Sequence, residues 1–167
     1  MTSTYTVERS RTVQASPDDI RPLLTNFRNW RLWSPWEEVD TDLHRAYSGP
    51  PAGIGAHYAW NGNRKAGAGT MEVVGLDERE VEIRLEFLKP FKSLTTTTFV
   101  LTPQGEGRTD VLWRMVGPRP LIMRVLGKVM DPDKLVGKDF EKGLAALDAA
   151  ARKGPSVRYD EDGEQDS

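Results

Sequence analysis

Residues 80–87 read Glu80-Val81-Glu82-Ile83-Arg84-Leu85-Glu86-Phe87, with apolar and charged side chains in strict alternation. Neighbouring side chains on a strand point to opposite faces, so Val81, Ile83, Leu85 and Phe87 share one side and Glu82, Arg84 and Glu86 the other. One dry face and one wet face are what a single sheet laid over a core requires. The same parity spreads outward from this strand and places Tyr58 with Trp60, Met71 with Val73, Phe99 with Leu101, and Val111 with Trp113 and Met115. The spacing predicts strands over Leu43–Ser48, Ile54–Asn61, Gly67–Leu76, Glu80–Leu88, Ser93–Thr102 and Thr109–Gly117. Turn chemistry separates them: Gly49-Pro50-Pro51, Asn61-Gly62-Asn63, Asp77-Glu78, Lys89-Pro90 and Pro103-Gln104-Gly105.

Toward the N-terminus a further strand is expected over Tyr5–Gln14. Ser16-Pro17-Asp18-Asp19 is then a helix start: serine can cap, proline suits the first turn, and the acids complement the positive helix end. A short helix through Ile20, Leu23 and Leu24 is followed by a second over Phe27–Trp33, which Pro35 ends. Beyond Gly117-Pro118 the period changes to that of a helix. Asp131-Pro132-Asp133 repeats the capped start, and Leu135, Phe140, Leu144, Leu147 and Ala151 trace one helical face up to Arg152. Such a helix is roughly 33 Å long, enough to cross a whole sheet. Gly137 and Gly143 weaken it by up to ~1 kcal/mol each, so packing must hold it. A curved antiparallel sheet wrapped around one long C-terminal helix, with two short helices after the first strand, is an α+β fold that leaves a space between sheet and helix.

The chain has 167 residues and a formal net charge of −2, which argues against nucleic acid as a partner. Its fifteen residues from Lys153 to Ser167 hold five acids against two bases, so the remainder is close to neutral. One domain over residues 1–152 is expected, with 153–167 as an acidic, disordered tail. There is no cysteine and only two histidines, His44 and His57, which leaves no assembly of metal ligands. The start Met1-Thr2-Ser3-Thr4-Tyr5 lacks the features of a signal peptide, and no stretch approaches the ~20 apolar residues of a membrane span. A cytoplasmic location is the expectation.

Local sequence narrows the fold. Trp33-Ser34-Pro35-Trp36-Glu37, Tyr47-x-Gly49-Pro50, Gly53-x-Gly55-x-x-Tyr58-x-Trp60-x-Gly62-Asn63 and Gly69-x-Met71 resemble the polyketide cyclase/dehydrase-like branch of the START and birch-allergen superfamily, which has the helix-grip fold. Leu85-x-Phe87-x-x-Pro90-Phe91, Trp113-x-Met115-x-Gly117 and Gly137-Lys138-Asp139-Phe140-Glu141-x-Gly143-Leu144 resemble the same branch, so the likeness covers about residues 5–150. The resemblance implies a deep cavity between sheet and C-terminal helix that takes lipids, sterols or polyketides; a few relatives cyclise or dehydrate polyketide chains.

The residues expected to line that cavity are Tyr58, Trp60, Met71, Val73, Ile83, Leu85, Phe87, Thr97, Phe99, Trp113, Met115, Phe140 and Leu144. Tyr58, Trp60 and Trp113, with Thr95 or Thr97, would orient a ligand through their polar atoms. No Gly-x-Ser-x-Gly elbow, phosphate loop or dinucleotide fingerprint is present, so no catalytic residue and no cofactor are assigned. Parity puts His57, Glu72, Glu86 and Arg114 on the outer face. The reading is a domain that binds or carries a hydrophobic or aromatic small molecule. The alternative is an aromatase/cyclase-type enzyme using Tyr58 or a loop acid such as Asp40; a third is an interaction module using Glu82, Arg84 and Glu86. Residues 119–130, apolar with Arg119, Arg124 and Lys128 interspersed, are read as a helix capping one end, or as a transient contact with an anionic membrane surface. Oligomeric state is left open.

Overall fold

The computed structural model describes residues 4–35, 43–63, 67–89, 92–118, 132–153, 158–159 and 165–166. Seven strands form one antiparallel sheet: β1 (Thr4–Val13), β2 (His44–Ser48), β3 (His57–Asn61), β4 (Ala68–Leu76), β5 (Glu80–Lys89), β6 (Ser93–Pro103) and β7 (Thr109–Pro118). Their order is β1-β7-β6-β5-β4-β3-β2, so β2 to β7 are a meander and the first strand adds to its far edge. Between β1 and β2 the chain passes from one edge of the sheet to the other through α1 (Pro17–Thr25) and a 3-10 helix (Phe27–Leu32). The long helix α2 (Pro132–Arg152) packs mainly against β1. This is the α+β helix-grip architecture: a curved antiparallel sheet holding a C-terminal helix. The register of β4 on β5 shifts between Ala68 and Gly69 and again between Val73 and Gly75, and irregularities of this kind bend a strand.

The parity is clearest in β5, β6 and β7. Val81, Ile83 and Leu85 are buried and Glu82, Arg84 and Glu86 exposed; on the outer face Glu72 meets Arg84 and Glu8 meets Arg114. Ser16 caps α1 as its sequence predicts, its Oγ accepting from the Asp19 amide at 3.3 Å. Three differences have local causes. Residues 54–56 do not belong to β3: Gly53 and Gly55 take positive φ, turning the chain so that Ile54 is exposed. The second short helix is of the 3-10 type, which puts Phe27, Trp30 and Trp33, three residues apart, on one side. In the acidic tail, where no regular structure was expected, β8 (Arg158–Tyr159) pairs with β9 (Gln165–Asp166). The expected cap at Asp131, the segment 119–130 and the loop acid Asp40 lie outside the described residues.

The two glycines of α2 are sites of close approach. A Cβ on Gly143 would lie 2.8 Å from the Trp113 ring, and one on Gly137 would run into the Arg9 guanidinium. Further along, Asp148 is buried and ties α2 to β1, accepting from the Gln14 amide (3.0 Å) and from Arg11 Nε (3.2 Å). Arg152, one turn on, completes the cluster with two hydrogen bonds to the same carboxylate.

Candidate functional site

The residues expected to line a cavity fall into two groups. Trp113 stacks face to face on Phe140 with ring centroids 4.0 Å apart, and on Phe99 at 5.1 Å. Trp33 and Trp30 meet it edge-on at 5.4 Å and 6.5 Å. Both of those indoles are anchored from behind, Trp33 Nε1 donating to the Leu23 carbonyl and Trp30 Nε1 to the Leu24 carbonyl. Leu144 is buried with them. Here rings pack on rings, and the geometry is that of a core.

One row of strand positions further along the sheet the surroundings change. Register places Tyr47 opposite Tyr58, Tyr58 opposite Met71, Met71 opposite Leu85 and Leu85 opposite Thr95. Tyr5 lies opposite Gly117, whose missing side chain leaves room for Tyr5 and Thr95 to close over it. The result is one continuous band across the concave face from the β2 edge to the β1 edge. Val73, Ile83, Phe99 and Phe140 are 0% exposed, whereas Tyr5, Met71, Leu85 and Met115 keep 6–8%. All eight are buried, and the second four keep slightly more accessible surface than the first. Beyond the band the accessibility rises again, because Trp60 and Phe87 are only half-buried. Those two rings meet edge-on at 6.0 Å, and Trp60 also stacks on Tyr58 while its indole covers Gly69. Thr97 and Met115 face each other in the row between band and core.

The band is apolar with a few oriented polar groups. Thr95 donates from Oγ1 to the Leu85 carbonyl at 3.2 Å. Burial pushes the Tyr5 phenol up to about 12; like any tyrosine it is protonated at neutral pH and offers an O–H. His57 is on the outer face, its Nδ1 3.3 Å from Ser48 Oγ, and His44 is exposed. Among the described residues no group of histidines and acids could hold a metal ion, and no helix is long and apolar enough to cross a membrane. A separate surface depression of about 350 Å³, lined by Asp18, Arg21, Pro22, Thr25, Asn26, Asn29 and Ala52, sits beside α1, away from the band.

The sequence reading missed Tyr47 as part of the band and Tyr5 as more than a core residue. Tyr47 was legible from parity, since it alternates with Ala46 and Ser48 on a strand. Trp30 and Trp33 were legible as a three-residue repeat with Phe27.

The sequence profile of the family described as "Polyketide cyclase / dehydrase and lipid transport" matches residues 4–152. The chain belongs to this family. No curated protein sequence matches it significantly. Solved structures with a similar fold include norcoclaurine synthase from Thalictrum flavum in complex with dopamine and hydroxybenzaldehyde: 12% identity, TM-score 0.64, 91% of this chain and 88% of that one. The di-domain ARO/CYC StfQ from the steffimycin biosynthetic pathway is similar at 16% identity and TM-score 0.66, over 90% of this chain and 51% of that one, about half its length. Protein CV1439 from Chromobacterium violaceum is similar at 14% identity and TM-score 0.61, over 87% of this chain and 96% of that one. At these identities the likeness is one of fold; the family assignment rests on the sequence.

Proposed function

We propose that this family member binds and carries a hydrophobic or aromatic small molecule on the concave band, without converting it. One observation carries the reading: accessibility on the concave face is graded, from nothing at Phe99 and Phe140, through 6–8% at Met71, Leu85, Met115 and Tyr5, to half-buried Trp60 and Phe87. In that reading Tyr58, Trp60, Met71, Leu85, Phe87, Thr97 and Met115 touch the ligand, Val73 and Ile83 floor the site, and Trp113, Phe99, Phe140 and Leu144 support it from the core side. Affinity comes from apolar burial at ~25 cal/mol per Å², and Tyr5 and Thr95 supply direction. The test has two parts: native mass spectrometry of freshly purified protein for a copurified lipid-like mass, and titration with the neutral fluorophore N-phenyl-1-naphthylamine. Saturable fluorescence enhancement supports the reading; neither a copurified mass nor an enhancement overturns it.

The second reading, cyclisation of a polyketide-like chain, draws on the position of Tyr5, whose phenol at the β1 end of the band could hydrogen-bond a substrate carbonyl. It expects turnover of a linear poly-β-ketone analogue, reduced about tenfold or more by Tyr5→Phe with binding retained.

A further inference from the structure

At the β2 end of the band stands a cation with no counter-ion among the described residues. Arg28, in the 3-10 helix, places its guanidinium carbon 4.5 Å from the centre of the Tyr47 ring. The residue is half-buried, its Nε is shielded from solvent, and nothing hydrogen-bonds that Nε. Among the described residues no carboxylate pairs with Arg28, whereas Arg9, Arg11, Arg21, Arg84, Arg114 and Arg152 each meet one. An N–H shut off from water normally finds an acceptor, because burying it unpaired leaves its desolvation uncompensated. Its neighbours explain why it is held there: Phe27, the preceding residue, packs on Tyr58, and Tyr58 packs on Tyr47 with centroids 5.3 Å apart. A fixed positive charge therefore abuts the aromatic end of an apolar band.

We infer that the ligand is an amphipathic carboxylic acid whose head group is taken by Arg28 and whose hydrocarbon or aromatic body lies along the band. This rests on the binding reading above and specifies its ligand class. A planar fork of N–H donors suits a carboxylate, which it can meet with two parallel hydrogen bonds. The Tyr47 face beneath the guanidinium holds its plane without competing for the N–H groups.

The experiment displaces bound N-phenyl-1-naphthylamine with dodecanoate and, in parallel, with dodecan-1-ol, two chains of equal length that differ in the head group. In the native protein dodecanoate is expected to displace the probe at about tenfold lower concentration than the alcohol. Arg28→Gln is expected to abolish that preference while leaving displacement by the alcohol and affinity for the probe unchanged; Arg28→Lys retains part of it. Equal potency of acid and alcohol in the native protein overturns the inference, as does a preference that survives Arg28→Gln. If Arg28→Gln weakens acid and alcohol alike, or lowers thermal stability without changing their ratio, the arginine serves the fold and the inference also fails. Absence of any probe binding would strike at the carrier reading itself, a different result from binding without acid preference.

Discussion

Trp113 shows how one residue can sit at a strand position that faces a ligand space and yet belong to the core. Its ring is held between Phe140 and Phe99, and a helix glycine, Gly143, lets α2 come down on it. Trp113→Ala is therefore expected to cost about 3–5 kcal/mol in urea unfolding, with near-native binding of probe by the fraction that remains folded. A loss below about 1 kcal/mol would mean that the ring lines open space instead. Gly143→Ala makes the complementary case. Alanine is the better helix former by ~1 kcal/mol, but its methyl would sit 2.8 Å from Trp113 and 3.1 Å from Pro35. The variant should be destabilised by about 1–3 kcal/mol, as overpacked cores are, and a rise in the melting temperature would contradict the close approach. The parity of Trp113 was plain in the sequence. Its neighbours were not, because Trp30, Trp33 and Phe140 come from segments far apart along the chain.

At the scale of elements, the grip of β1 on α2 depends on Asp148. Burial by itself would push this carboxyl up, but hydrogen bonds from Arg152, the Gln14 amide and Arg11, with the charge of Arg152, hold it below its usual 3.8. A carboxyl depressed in the folded state stabilises the protein fully above its unfolded value, and that contribution is lost as pH falls through the folded one. Unfolding curves should therefore show no contribution from this residue to pH dependence between about pH 6 and 8, and a progressive loss below about pH 4. Asp148→Asn should be less stable than the native protein at pH 7, and the difference between the two should shrink as pH is lowered toward 2. A constant difference across that range would show that the carboxylate charge is irrelevant to the docking. The helix itself was legible from its 3.6-residue period, and its two glycines already required packing to hold it. Which neighbour met each one, Arg9 or Trp113, depended on how the sheet curves beneath the helix.

For the molecule as a whole, a ligand that binds only the folded state raises stability in proportion to its saturation. At a hundredfold excess over Kd, N-phenyl-1-naphthylamine or a preferred acid should add about 2.7 kcal/mol, measurable as a concentration-dependent rise in melting temperature. Tyr58→Ala, which opens the aromatic end of the band, should reduce that rise at fixed ligand concentration. An unchanged shift would move the site elsewhere, with the depression beside α1 as the next place to look.

The amino-acid order by itself determined the strands, the long helix, the face that turns inward and the family, because alternation, helical period and capping act over a few residues and leave a local record. Tertiary structure alone decided how the inward residues divide. Whether a ring fills space or borders it depends on what arrives from across the fold. Phe140 and the paired indoles close one part of the concave face, while Trp60 and Phe87 elsewhere on it stay half-covered. Arg28 makes the same point for charge: nothing in its neighbourhood along the chain marks it, and only the fold sets its guanidinium against the Tyr47 ring with an unbonded Nε.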